Sequence, residues 1–180
     1  KEIKKNKLKF PIVVKPNDEG SSIGVNICGN LNSLYDSFNK LRKKYENLIF
    51  ENYIPGKEIQ VANLGNRAIG AIELRPKRKF YDYKAKYKKS SRTEHIMPAE
   101  ISKLKYSEVL RISQKAYKIL KCRGIARCDF RFYKNKFFLL EVNTQPGMTS
   151  LSLVPEIAEY KNISFKQLVN WMVKDASLNR

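Results

Sequence analysis

Residues 125–153, IARCDFRFYKNKFFLLEVNTQPGMTSLSL, constrain the fold of this chain more than any other stretch. Polar and apolar residues alternate on both sides of Lys134, Asn135 and Lys136, which is the period of a β-hairpin and not of a helix. One face takes Ala126, Cys128, Phe130 and Phe132 from the first arm, with Phe138, Leu140 and Val142 from the second. The other takes Arg127, Asp129, Arg131 and Tyr133, then Phe137, Leu139, Glu141 and Asn143. Opposed residues of an antiparallel pair share a face. A three-residue turn centred on Asn135 therefore sets Asp129 opposite Glu141 and Arg127 opposite Asn143. Like charges placed opposite one another are destabilising. Two carboxylates and an amide are an oxygen-only donor set, which suits Mg²⁺ or Mn²⁺. An ordinary solvated face, with Arg127 and Arg131 neutralising the acids, accounts for the same spacing.

A chain of 180 residues, 42% hydrophobic, is long enough for one good core or for two small lobes sharing a cleft. No apolar run approaches the ~18 residues of a membrane span, and the lysine-rich residues 1–9 lack the apolar stretch of a signal peptide. Cys28, Cys122 and Cys128 form no CxxC pair, so reduced thiols and a cytoplasmic location are expected. With His95 the single histidine, neither a histidine zinc site nor a Ser-His-Asp triad is supported. The net charge of +19 invites a nucleic-acid reading. Against it, the lysines are spread over nearly every segment and no nucleic-acid motif accompanies them. A basic surface also suits a small polyanion such as ATP.

In chain order, residues 10–16 read as a buried strand and residues 17–25, NDEGSSIGV, as a glycine turn leading into a second strand at 25–28. A P-loop or dinucleotide fingerprint would need a helix there. Gly20 and Gly24 would let backbone approach a phosphate, with Ser21 and Ser22 as donors and Lys15 as a cation. Residues 31–45 carry Leu34, Tyr35, Phe38, Leu41 and Tyr45 at helical spacing, capped at Asn32 or Ser33. Strands are expected at 48–54, 54–65 and 67–74, with Glu51 and Glu58 flanking the Pro55-Gly56 turn. Residues 75–99 are basic, aromatic and irregular, which suits a lid or binding loop, and RNA binding is the competing reading. A helix over 102–122 should face the core with Leu104, Val109, Ile112, Ala116, Ile119 and Leu120, ending with Gly124 as its C′ residue. A short helical turn at 156–160 and a helix capped by Ser164, with Phe165, Leu168, Val169 and Met172 inward, close the chain.

These residues resemble the D-alanine–D-alanine ligases of the ATP-grasp superfamily, in their carboxy-terminal ATP-binding part. Four signatures stand in the family's order: VVKPNDEGSSIGV, FENYIPGKE, FYDYKAKY, and ARCDF with LLEVNTQPGMTSLSLVP. The resemblance implies an α+β fold of two lobes with antiparallel sheets clasping ATP. The small lobe would span 10–75 and the large lobe 76–180, with a mobile lid at about 80–98 and the family's amino-terminal domain absent. Lys15 resembles the lysine on the α- and β-phosphates, and Gly20, Ser21 and Ser22 the loop closing over them. Glu51 resembles the acid on the adenine amine, and Glu58 the acid on the ribose hydroxyls. Tyr81 and Tyr87 match the lid and its closure tyrosine, and Lys86 the γ-phosphate lysine. Asp129, Glu141 and Asn143 match the ligands of two Mg²⁺ or Mn²⁺ ions, and Arg127 the arginine on the transferring phosphoryl group. Gly147 matches the position stabilising the oxyanion, and Ser152 the one holding the second D-alanine's carboxylate.

The implied reaction joins two D-alanines for peptidoglycan precursors through a D-alanyl phosphate, attacked by the second amine. Acyl phosphates hydrolyse, so a water-excluding lid belongs to the chemistry. Tyr87 fits the D-alanine acceptor pattern rather than the D-lactate one. A homodimer is the family's habit. Without the amino-terminal domain, the piece is expected to bind nucleotide weakly and not to make the dipeptide. Another ATP-grasp amino-acid ligase would share the hairpin but not the pairing of PGMTSLSLVP with FYDYKAKY. A basic nucleic-acid-binding module is the alternative from a different class.

Overall fold

The computed structural model describes residues 7–20, 22–76, 93–149 and 151–177. Ser21, and Tyr81, Lys86 and Tyr87 of the expected lid, lie outside the described residues. The chain divides into two compact units, one reaching Ile54 and the other holding Pro55–Arg75 with the chain from Glu94 onward.

In the first unit, β1 (Ile12–Pro16) is flanked by β2 (Asn26–Cys28) and β3 (Leu48–Asn52), both antiparallel to it. The glycine turn thus joins strand to strand, as its flanking sequence requires. Helix α1 (Leu31–Leu41) closes Leu34 and Leu41 onto Ile12, Val14 and Cys28. Its N-cap is Asn30 rather than Asn32 or Ser33. The extended backbone at Asn30 lets its side chain accept from the Ser33 N–H, and the Ser33 hydroxyl takes the reciprocal bond. Tyr35 stands 66% exposed, so the buried stripe is narrower than the apolar spacing suggests.

The second unit is a five-stranded sheet in the order β6-β5-β4-β7-β8. Its strands are β4 (Lys57–Leu64), β5 (Arg67–Pro76), β6 (Thr93–Ile96), β7 (Ile125–Tyr133) and β8 (Lys136–Asn143). Strand β6 falls in a segment expected to be irregular. Helix α2 (Lys103–Ile119) covers the face carrying Ile59, Val61, Ala71, Cys128 and Phe130. Phe130 is wholly buried there, worth about 1.5–3 kcal/mol against exposure. Ile157 of α3 (Leu153–Tyr160) reaches the other face at Gly70, where an added Cβ would stand 2.8 Å from its side chain. Beyond it lies α4 (Phe165–Asp175).

Several expectations are corrected. Helix α2 turns Val109, Ser113 and Tyr117 inward and leaves Leu104, Ile119 and Leu120 exposed, because the last three lie off the buried stripe. It ends without Gly124. Lys121 takes the left-handed conformation at φ 51°, its N–H bonds the Lys118 carbonyl, and the Cys122 N–H bonds that of Tyr117, a Schellman motif. Helix α3 begins at Leu153, earlier than the turn expected at 156–160. In α4 only Leu168 is fully buried, while Phe165 and Val169 are exposed.

The hairpin turn is two residues long, not three. Lys134 and Asn135 both have positive φ, 46° and 62°, and Tyr133 pairs with Lys136. The register then shifts between Asp129 and Phe130, skipping Leu140, which is a β-bulge. Between turn and bulge the faces of β8 are therefore exchanged. Phe137, expected on the polar face, packs on Phe132 with ring centroids 4.5 Å apart. The boundary expected near residue 75 also differs from the observed division. Residues 55–75 fold with the second unit because β4 pairs with β7 along all eight of its residues. Among the described residues no helix is long and apolar enough to cross a membrane.

Candidate functional site

In the first unit, Lys15 and Glu51 point the same way, since Val13 and Lys15 sit two apart on β1 and Val13 pairs with Glu51. Lys15 Nζ donates to Glu51 Oε1 at 2.8 Å, with the side chains 23% and 36% exposed. The two residues expected on phosphate and adenine thus meet across adjacent strands. The glycine turn above them has internal bonds: Ile23 N–H to the Gly20 carbonyl, and Asn26 Nδ2 to that of Gly24. Gly24 is required for shape, since a Cβ at its φ of +72° would stand 2.8 Å from the Pro16 ring. A Cβ on Gly20 would meet nothing within 4 Å among the described residues, and Ser22 takes φ 62°. The Tyr45 phenol is pushed above its ordinary range, first by its hydrogen bond to Glu19 of this turn.

In the second unit, one sheet face collects the remaining acids. Strand β4 places Glu58 opposite Arg131, Gln60 opposite Asp129 and Ala62 opposite Arg127. Strand β8 sets Glu141 opposite Asp129 and Asn143 opposite Arg127. This is the acid register expected from the sequence. Arg127 grips Asp129 with both arms, Nε to Oδ1 at 2.7 Å and Nη2 to Oδ2 at 2.9 Å. Arg131 Nη2 lies 3.2 Å from Glu58 Oε2, and its Nη1 donates to the Gly56 carbonyl. Asn143 Oδ1 accepts from the Gln145 N–H at 2.9 Å, which bends the chain away after β8.

The following loop brings Gly147 and Ser152 together. A Cβ on Gly147 would stand 2.9 Å from Ser152 Oγ. That oxygen accepts from the Thr149 N–H at 2.9 Å and lies 3.0 Å from Thr149 Oγ1. Ser152 is also the N-cap of α3, where its side chain makes no capping bond.

One participant in this face, Gln60, is not singled out by the sequence, and Arg131 does more there than neutralise charge. Gln60 is 1% exposed, and Arg131 is the partner of Glu58 as well as a neutralising charge. The alternation of β4 carries the signal, since Glu58 and Gln60 occupy every second position between Ile59 and Val61. Among the described residues no group of three or more His, Cys, Asp or Glu side chains gathers. The expected donor set has two carboxylates and an amide, so it needs no such group. Its chemistry fits a hard divalent cation. The Arg127 guanidinium on both Asp129 oxygens marks where positive charge is accepted.

Residues 1–174 match the family described as D-ala D-ala ligase C-terminus. The chain belongs to that family. It is 54% identical to the D-alanine–D-alanine ligase of Pelagibacter ubique over 99% of this chain and 58% of that protein. It is 42% identical to that of Pseudothermotoga lettingae over 98% of this chain and 60% of that protein. A crystal structure of the Bacillus anthracis ligase aligns with TM-score 0.84 at 32% identity, covering 97% of this chain and 57% of that one. A second, complexed with ATP, gives 0.80 at 28%, covering 94% and 53%. The chain thus spans less than two thirds of the relatives it matches. The family's α+β ATP-grasp fold with antiparallel sheets is the fold of this chain.

Proposed function

We propose that this chain is the ATP- and metal-handling part of a ligase that joins two D-alanines for peptidoglycan precursors. The observation that carries the reading is the hairpin register, in which Asp129 faces Glu141 and Arg127 faces Asn143 on one sheet face. Family membership and the ATP complex of the Bacillus anthracis relative support ATP as the phosphoryl donor.

Asp129, Glu141 and Asn143 would hold Mg²⁺ or Mn²⁺, two ions in all, which would neutralise the charge on the phosphates and on the carboxylate being activated. Lys15 would leave Glu51 for the α- and β-phosphates, freeing Glu51 to accept from the adenine amine. Gly20, Ser21 and Ser22 would cover the phosphates with backbone and hydroxyl donors, and Glu58 would accept from the ribose hydroxyls. Arg127 would turn from Asp129 toward the transferring phosphoryl group. A fixed guanidinium there stabilises charge as it develops. Gly147 leaves room for the oxyanion beside Ser152, whose hydroxyl would hold the second substrate's carboxylate. Tyr81, Lys86 and Tyr87 would close the site against water. The unit reaching Ile54 and the unit holding Pro55–Arg75 with the chain from Glu94 onward would be the family's small and large lobes. The part of the relatives that this chain does not span would complete the first D-alanine site.

Nucleotide titration of the chain by NMR with and without Mg²⁺ tests the reading. Binding should require Mg²⁺ and collapse in Glu141→Ala. Mg²⁺-independent binding that survives this substitution would refute it.

A further inference from the structure

Gln60 is the least expected polar group in the second unit. It is 1% exposed, on the sheet face that carries the acids, and its buried Oε1 has no hydrogen-bond partner among the described residues. Its Nε2 lies 3.4 Å from Glu58 Oε1, while Arg131 approaches Oε2 of the same carboxylate at 3.2 Å. Turning the amide over would bring its carbonyl oxygen against the carboxylate, so Glu58 fixes the orientation. A buried carbonyl left unpaired is destabilising, and an apolar side chain of the same length would avoid the penalty. Such a liability is expected where a group serves a site rather than the core.

We propose that Gln60 is a positioning residue for Glu58. Its amide steadies one carboxylate oxygen and Arg131 the other. The acid is then presented in one orientation to a ligand offering hydroxyl donors, the chemistry of a nucleotide sugar. The inference rests on the reading of Glu58 as the acid that accepts from the ribose, and it adds the residue that sets the acid's aim. Glu58 and Gln60 are two apart on β4 and so share a face, while Arg131 pairs directly with Glu58 from β7. The three groups therefore lie two rungs apart on one face of an antiparallel ladder, where backbone hydrogen bonds hold their relative placement. Substituting Gln60 removes the contact to Oε1 and leaves Arg131 in place.

The experiment compares ATP with 2′,3′-dideoxy-ATP by NMR titration of the full chain with Mg²⁺, together with thermal unfolding. It uses Gln60→Met, Gln60→Leu and Glu58→Gln. Loss of one such hydrogen bond corresponds to about a two- to tenfold change in affinity. Gln60→Met and Gln60→Leu should narrow the preference for ATP by about that factor and leave the unfolding midpoint equal or raised. Glu58→Gln should lose the preference. If Glu58→Gln loses it and both Gln60 variants keep it in full, the positioning role is overturned and the reading of Glu58 stands. If Glu58→Gln keeps the preference, the reading of Glu58 falls and the proposal with it. A lowered midpoint in both Gln60 variants assigns Gln60 to the fold and overturns the proposal as well.

Discussion

Replacing Arg127 by Met tests the electrostatics of the hairpin most directly. The side chains of Arg127 and Asp129 are 14% and 9% exposed, so solvent screens their two bonds little. Met keeps a similar length and packing but leaves the carboxylate without the guanidinium. Breaking a buried ion pair from one side costs about 3–5 kcal/mol, mostly as uncompensated desolvation. In a chain of this size each kcal/mol lowers the melting midpoint by about 2–4 °C, so a fall of about 6–20 °C is expected without divalent cation. Fluorescence of Trp171, which lies 3.3 Å from where a Gly65 Cβ would sit, reports on this unit. A cycle with Asp129→Asn isolates the pair, and the double variant should lose less than the sum of the singles. Mg²⁺ should then stabilise Arg127→Met more than the parent, because no guanidinium competes for the carboxylate. Binding at a hundredfold excess over the dissociation constant adds about 2.7 kcal/mol. A parent-like midpoint without Mg²⁺, or an Mg²⁺ gain no larger than the parent's, would refute the argument.

Two further outcomes follow from packing and from burial. Gly56→Ala places a Cβ against the Phe132 carbonyl at a φ of +102°, so it should lose at least about 3 kcal/mol in urea unfolding; a loss under about 1 kcal/mol would mean the turn relaxes freely. Burial pushes the Cys128 thiol above its ordinary value of 9.0. The folded state therefore holds its proton longer than the unfolded state, and this contribution is full below pH 9.0 and falls as pH rises toward the folded pKa. Cys128→Ala should flatten that alkaline decline, and identical slopes for parent and variant would contradict the burial argument.

Where local chemistry decides, the sequence is a sound guide. The strands expected at 54–65 and 67–74 form a hairpin whose two-residue turn is Gly65-Asn66, with Leu64 paired to Arg67. The acids of β7 and β8 meet as expected, but through a shorter turn and a bulge that the alternation does not show. What was hidden depends on partners far along the chain. Nothing in residues 57–64 announces that β4 pairs with β7 some seventy residues later, yet that pairing assigns the β4–β5 hairpin to the second unit. The same pairing sets Gln60 opposite Asp129. The helical stripes misled for a related reason. Apolar spacing shows which residues would share a face, but what packs against that face decides its width. Phe165 and Val169 therefore stand exposed beside a buried Leu168.

The hairpin shows two local errors cancelling, and the cancellation is informative. A three-residue turn without a bulge and a two-residue turn with one residue skipped give the same pairs at the far end of the strands. The second solution is the real one, and it separates two demands. At the tip, Lys134 and Asn135 form a tight turn that sets Phe132 against Phe137 in the core. If that register ran on unbroken, Asp129 would face Leu140 and Cys128 would face Glu141. A carboxylate would then be turned toward the wholly buried face of Ile59, Val61 and Phe130, at a desolvation cost of several kcal/mol (about that of an unpaired buried ion). Skipping Leu140 returns Val142 to the core beside Cys128 and lifts Glu141 to the face of Asp129. The bulge thus lets one strand satisfy an aromatic core at one end and an acid pair at the other. It sits beside the acid pair because the change of face is needed between Phe130 and Asp129 and nowhere else.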